Sequence, residues 1–190
     1  MTLEARLEAA VRGSPTLMAV LETLSALDLP QWRLVSGAVY QTVWNGLTGR
    51  DPAYGIKDFD VFYFDDDPSW DAEDAAIRRA AAAFAPPLRD QVEVRNQGRV
   101  HLWFEAKFGE PYAALGSADE ALERFLAPAF AVGVRLERDG RLDVLTPFGL
   151  EDCFAMRLRH NPRRAVNARN VEAVAAKLAA RWPELVLEPE

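Results

Sequence analysis

The stretch Lys57-Asp58-Phe59-Asp60-Val61-Phe62-Tyr63-Phe64 decides how the rest of the chain is read. From Phe59 to Phe64 it is almost continuously apolar and aromatic, the pattern of a strand buried on both faces. Side chains alternate along a strand, so Asp58 and Asp60 project to one side at its start, about 7 Å apart along the chain. Two carboxylates so placed repel one another unless something positive lies between them. A hard divalent cation, Mg²⁺ or Mn²⁺, meets that need, because it takes oxygen ligands and leaves positions for substrate phosphates. The bland alternative is a pair of aspartates that merely marks the exposed start of a strand.

Upstream, Trp32 to Val35 reads as a short strand and Ser36-Gly37 as the turn after it, with a helix over roughly Val39 to Leu47. A strand opening through such a turn into a helix aims backbone N–H groups and the positive helix end at an anion. Gly37 lacks a Cβ, so a phosphate can approach the main chain there. An ordinary strand-to-helix turn is the alternative. Downstream, Gln91 to Arg95 alternates apolar and polar residues and predicts another strand. Glu93 sits between Val92 and Val94, pointing away from the apolar face, where a neighbouring strand can deliver it beside Asp58 and Asp60 as a third carboxylate. Glu105 is the substitute. A glycine turn at a helix start followed by Asp-x-Asp on an apolar strand makes a phosphoryl-transfer site, one part for the triphosphate and one for its metal.

Working outward, Ser14-Pro15 reads as an N-cap with proline at the first helical position, and Leu17, Val20, Leu21, Leu24 and Leu27 recur at helical spacing up to Pro30. Residues 50–57, with Pro52 and Gly55, predict a loop. Asp65-Asp66-Asp67-Pro68-Ser69 is a turn that caps a helix over about Trp70 to Phe84. Further strands are predicted at Phe130–Leu136 and Leu142–Leu145, joined at Asp139-Gly140. A last helix carries Val171, Val174, Ala175, Leu178 and Trp182 on one face. The class is α+β: one small mixed sheet flanked by helices, in a single domain over 1–190. Its parts are a helical segment at 1–30, a sheet-bearing core at about 31–150 and a helical segment at about 151–185.

The 190 residues suit one domain, and 49% hydrophobic content suits a globular one. No segment approaches the roughly 18 uninterrupted apolar residues of a membrane helix. Cys153 stands alone, so an internal disulfide is excluded and a reducing compartment, the cytoplasm, is expected. With 22 basic and 29 acidic side chains the net charge is −7, a field that opposes nucleic acid except at a local patch. Such a patch is offered by Arg157, Arg159, Arg163, Arg164 and Arg169, a run that can bind triphosphate or an RNA end, or simply flank a solvated helix.

Taken in order, Gly37-Ala38-Val39-Tyr40-Gln41-Thr42-Val43-Trp44-Asn45, Lys57-Asp58-Phe59-Asp60, Val92-Glu93-Val94-Arg95-Asn96-Gln97 with Val100-His101-Leu102-Trp103, Pro147-Phe148-Gly149-Leu150-Glu151-Asp152 and Asn161-Pro162 carry a resemblance. Over about residues 34–162 the chain resembles the small bacterial branch of the polymerase-β-like nucleotidyltransferases. The resemblance implies a small mixed sheet with helices, and two-metal transfer of a nucleoside monophosphate with loss of pyrophosphate. It implies Asp58 and Asp60 as the metal-binding pair, Glu93 as the candidate third carboxylate and Gly37 in the phosphate-binding turn. Two departures stand out: Ser36-Gly37-Ala38 replaces the usual Gly followed by Gly or Ser, and the interval from Gly37 to Asp58 is long.

Around this centre, Arg95 and Arg99 have guanidinium forks suited to a departing pyrophosphate, with surface ion pairing as the alternative. Asn96 joins them as a nucleotide-binding candidate. His101 reads as a packed core residue or as a base for an acceptor hydroxyl. Asn45 is placed to bond the base, the sugar or only nearby backbone. Trp103 and Cys153 read as core. The leading expectation is an enzyme using a nucleoside triphosphate with Mg²⁺ or Mn²⁺. A small molecule, a protein side chain and an RNA terminus all suit it as acceptor, and nothing points to a particular oligomeric state. The rivals are a non-catalytic nucleotide- or partner-binding protein that retains the fold, which the irregular turn favours, and a purely structural α+β domain.

Overall fold

The computed structural model describes residues 1–164 and 169–188 of the chain. Each early helix begins where a side-chain oxygen satisfies a free backbone donor. Thr2 accepts from the Ala5 N–H to start α1 (Leu3–Arg12), and Ser14 from the Leu17 N–H to start α2 (Pro15–Leu27), which has Pro15 at its first position. Asp28, in the left-handed region at φ 52°, ends α2 and turns the chain into β1 (Arg33–Val35). There follow α3 (Gly37–Leu47), β2 (Phe59–Tyr63), and α4 (Trp70–Ala83), the last capped by Ser69 with Asp71 and Glu73 in its first turn. A short α5 (Leu88–Gln91) leads to β3 (Val92–Asn96). Residues 97–130 contain only 3₁₀ turns and the short α6 (Phe104–Phe108). The chain closes with β4 (Gly133–Leu136), β5 (Leu142–Leu145), α7 (Glu151–Phe154), β6 (Arg157–Leu158), α8 (Arg169–Ala179) and β7 (Val186–Leu187).

Five strands form one mixed sheet in the order β3-β2-β1-β4-β5. β2 and β3 run parallel and the other neighbours antiparallel. This is the expected α+β architecture. One sheet face carries Phe59, Val61, Val94 and Val134, which join Leu17, Val20, Leu24, Ala76 and Ala80 of α2 and α4 in a continuous core. α3 is buried along nearly its whole length, with Trp44 and Val39 in the same core. No described helix is long and apolar enough to cross a membrane.

Three expectations are corrected, and one strand pairing is new. β2 is buried on one face only: Phe59, Val61 and Tyr63 are buried, whereas Asp60 and Phe62 are only partly so. The aromatic density of the segment reflects an apolar cavity on the second face rather than a second helical layer. The strand expected from Phe130 starts at Gly133, because a proline-led 3₁₀ turn, Pro128–Phe130, precedes it. The pairing of β6 with β7 was not foreseen, since two-residue strands leave no periodicity to read. Trp182 lies beyond the end of α8, at Ala179, although it is fully buried as the helical face required.

Trp182 explains Asn45. That asparagine is 0% exposed, and its amide donates to the carbonyls of Pro52 (3.1 Å) and Tyr54 (2.8 Å) while its oxygen accepts the Trp182 indole N–H at 3.0 Å. Every polar atom of the side chain is therefore engaged away from solvent, and the nucleotide-binding reading of Asn45 is withdrawn. The long interval before Asp58 is a docked loop, pinned by Asn45, by Arg181 donating to the Gly55 carbonyl at 2.9 Å, and by the Trp182 ring. Gly55 is required there: at φ +75° any Cβ would sit 2.6 Å from that ring. Asn45→Ala would strand two carbonyls and an indole N–H in the interior, a loss expected to cost about 2–4 kcal/mol. Urea unfolding should read this as a lowered midpoint, and a change under 0.5 kcal/mol would contradict the clamp.

Candidate active site

The site grows from the register of three strands. Val35 on β1 pairs with Asp60 on β2, so the turn after Val35 is set beside the start of β2. On the other side Asp60 pairs with Glu93 of β3, and Phe62 with Arg95. In-register neighbours of a parallel pair lie about 4.7–4.9 Å apart and share a sheet face, so Asp60 and Glu93 project together. Asp58 is exposed in the residue pair just before β2.

Ser36 makes the turn at φ 63° and ψ −139°, a conformation rarely adopted by a residue with a side chain and costing about 1–3 kcal/mol. No side chain caps the N-terminus of α3, so its first backbone donors are left to other partners. Gly37 fits because a Cβ there would come within 2.9 Å of the Gln41 amide nitrogen. The Gln41 side-chain oxygen is itself buried without a hydrogen-bond partner among the described residues.

Burial raises the Asp60 carboxyl from 3.8 to about 6, helped by the charges of Asp58 and Glu93 and opposed by hydrogen bonding to Ser36 and the charge of Arg95. Three acidic groups and the glycine turn therefore act on one another electrostatically. Glu93 leans toward Arg95 at 3.4 Å, and among the described residues no three acidic, histidine or cysteine side chains converge into a formed metal-binding group. The donors are nevertheless of the right kind: carboxylate oxygens, one of them raised by burial and by like-charged neighbours, suit a hard cation.

Two further candidates lie elsewhere. Asn96 is 0% exposed; its oxygen accepts from the N–H groups of Asp65 (3.0 Å) and Gly98 (2.9 Å) and its amide donates to the Asp65 and Asp67 carbonyls. It holds the acidic turn in shape and has nothing left for a nucleotide. Arg99 pairs with the buried Glu73 of α4, donates to the Pro68 carbonyl at 3.1 Å and covers the Trp70 ring. Both readings are corrected: Asn96 at the end of β3 and Arg99 in the turn beyond it face α4. Glu105 is exposed on α6. His101 is partly buried with its Nδ1 unpartnered among the described residues. Of the arginine run, Arg157 and Arg159 grip Asp152, Arg163 pairs with Glu123 and Arg164 with Glu110; the Arg169 side chain lies outside the described residues. Cys153 is fully buried, as expected, and burial pushes its thiol up to about 12.

A cavity of about 390 Å³ is bordered by Ser36 and Arg95, the partners of Asp60 and Glu93. Ser36 and Arg95 are among its polar lining, and Tyr40, Phe62, Trp103, Tyr112, Phe125 and Phe130 among others form its walls, with Arg124 and Arg164. Phe62 stacks on Phe125 with centroids 5.8 Å apart and planes 10° off parallel. Trp103 is a half-buried wall residue, not core. Sequence reasoning passed over most of these walls, whose signal was the cluster of Trp103, Phe104 and Tyr112 in a segment without periodicity.

With this geometry in view, the model of a family described as nucleotidyltransferase matches residues 22–187. The chain belongs to the nucleotidyltransferase family. It is similar, at 26% identity and a TM-score of 0.77, to an NMR structure described as revealing a CCA-adding enzyme head domain; the match covers 100% of this chain and 97% of that one. No curated protein matches. Family and fold support nucleotidyl transfer, hence a transferase whose substrate is a nucleoside triphosphate.

Asp60 carries a consequence for stability. Its pKa is raised on folding, so between about pH 4 and 6 the folded chain keeps a proton that the unfolded chain has released. Stability therefore falls as pH rises through that window and the deficit is complete above it. Two units correspond to about 3 kcal/mol, and partial exposure reduces this to roughly 1–2 kcal/mol. Asp60→Asn should gain that amount near pH 8 in chelator and almost nothing near pH 3.5, by urea midpoints. Equal gains at both values would contradict the electrostatic account.

Proposed function

We propose that the chain moves a nucleoside monophosphate from a nucleoside triphosphate to an acceptor hydroxyl, with Asp58, Asp60 and Glu93 as the reaction centre. The observation that carries the reading is Asp60: partly buried, next to two like charges, and beside the uncapped start of α3. That arrangement is costly unless positive charge and phosphate complete it.

In this reading the backbone donors of Ser36, Gly37 and Ala38 receive the terminal phosphates, helped by the positive end of α3. A divalent cation, Mg²⁺ or Mn²⁺, held by Asp58 and Asp60 with Glu93 as third carboxylate would neutralise charge on the triphosphate oxygens. Glu93, once turned from Arg95, accepts a hydrogen bond from the attacking hydroxyl and is positioned to take its proton. The acceptor oxygen bonds to the α-phosphorus, the bond to the bridging oxygen breaks, and pyrophosphate leaves with the electron pair. Arg95, on the adjoining edge, offsets the charge of the leaving group.

Thermal unfolding with each nucleoside triphosphate, with and without Mg²⁺ or Mn²⁺, tests this. A metal-dependent rise is expected, about 2.7 kcal/mol at a hundredfold excess over Kd, and it should be absent in Asp58→Asn/Asp60→Asn. If no nucleotide shifts the wild-type chain at millimolar concentration, the transferase reading fails and a non-catalytic partner-binding protein takes its place.

A further inference from the structure

The walls of the 390 Å³ cavity carry more chemistry than a nucleoside triphosphate requires. Its volume falls in the range of small-molecule sites, roughly 300–1,000 Å³. Planar side chains dominate it: Tyr40, Phe62, Trp103, Phe104 and Phe125 present ring faces or edges to the space. Three guanidinium groups, of Arg95, Arg124 and Arg164, complete the lining, and none of its described lining residues is a carboxylate.

These arginines differ in how far they are already committed. Arg95 approaches Glu93 at 3.4 Å. Arg164 pairs with Glu110 at 2.8 Å and donates to the Arg124 carbonyl at 3.0 Å. The Arg124 guanidinium makes no ion pair among the described residues, yet it borders this cavity and a second one of about 220 Å³ beside it. The triphosphate has its own partners at the Ser36 end, and nucleobases are uncharged at neutral pH. Arg124 is exposed and without an ion pair among the described residues, so beside the aromatic walls its guanidinium is available to an anion that the nucleotide does not supply. A polynucleotide is a poor fit. The net charge is −7, and the arginines at 157, 159, 163 and 164, whose run offered the phosphate-binding patch, are each paired with an acid.

We infer that the cavity seats the acceptor, and that the acceptor is a small, planar, hydroxyl-bearing acid whose ring lies among the aromatic walls and whose anionic group meets Arg124. The term acceptor rests on the transfer reading given above; the binding chemistry rests on the cavity alone. Seated so, the hydroxyl faces the Ser36 and Arg95 end, where Glu93 stands beside Arg95.

Calorimetry or fluorescence with 6-hydroxy-2-naphthoate, and with uncharged 2-naphthol as its control, tests the inference without nucleotide or metal. The naphthoate should bind at least tenfold tighter than the naphthol. Arg124→Gln should remove that preference while leaving naphthol binding and the melting temperature unchanged. Saturating ATP with Mg²⁺ should leave the naphthoate bound. Equal affinity for acid and naphthol, no naphthoate binding at millimolar concentration, or competitive displacement by ATP would each overturn the assignment. Displacement would make the cavity the seat of the nucleobase, and tight binding of an oligoribonucleotide in place of the naphthoate would make the acceptor a nucleic acid. Asp58→Asn/Asp60→Asn should keep the naphthoate, so a failed transfer reading and a failed cavity reading give different results.

Discussion

The register that sets Asp60 between Val35 and Glu93 is the constraint on which the rest of the structure depends. It brings the end of β1, the start of β2 and the start of β3 to one edge of the sheet. It also fixes which face each side chain takes, because a slip of one residue would turn Asp60 into the core and Val61 outward. The helices of the other face hold that register: Phe59, Val61 and Val94 are locked among α2 and α4. Burying those three side chains is what obliges Asp60 and Glu93 to look the other way, toward each other. Burial, helped by the charges of Asp58 and Glu93, raises the Asp60 carboxyl to about 6. The core thus creates an electrostatic demand at the edge, which a triphosphate with its cation would answer under the proposed function.

Around that edge the polar residues divide into two kinds. Asn45, Asn96, Glu73 and Arg99 are spent inside the protein, tying the docked loop to Trp182 and the acidic turn to α4. Among the described residues Ser36, Gln41 and Arg124 are less fully committed: Ser36 holds a strained turn, the Gln41 oxygen has no hydrogen-bond partner, and the exposed Arg124 makes no ion pair. A side chain with all its donors and acceptors occupied has little to offer a ligand. That distinction separates scaffold from site more reliably than closeness to the motif in sequence does.

The same distinction explains how much was legible beforehand. Asp58, Asp60 and the helix after Ser36 could be read because their signals are local: alternation along one strand, and a glycine turn before an apolar helix. The α+β class and the five strands of the main sheet followed from short-range periodicity in the same way. Asn45, Asn96 and Arg99 were misassigned because their partners, Trp182, Asp65 and Glu73, lie 26 to 137 positions away in the chain. The cavity was invisible for a related reason. Its walls come from β2, α3 and the irregular segment 97–130, where no period marks which aromatic residues turn inward. Reading β2 as buried on both faces was the visible trace of that cavity, attributed to the wrong cause.

Paramagnetic broadening of amide NMR signals by Mn²⁺, added with a nucleoside triphosphate to the isotopically labelled chain, most directly locates the charge that Asp60 demands. Broadening should appear first at Val35 to Ala38, Asp58 to Val61 and Glu93, the three segments that the register brings together. Broadening centred instead on the acidic turn Asp65-Asp66-Asp67, with those segments left sharp, would contradict the account.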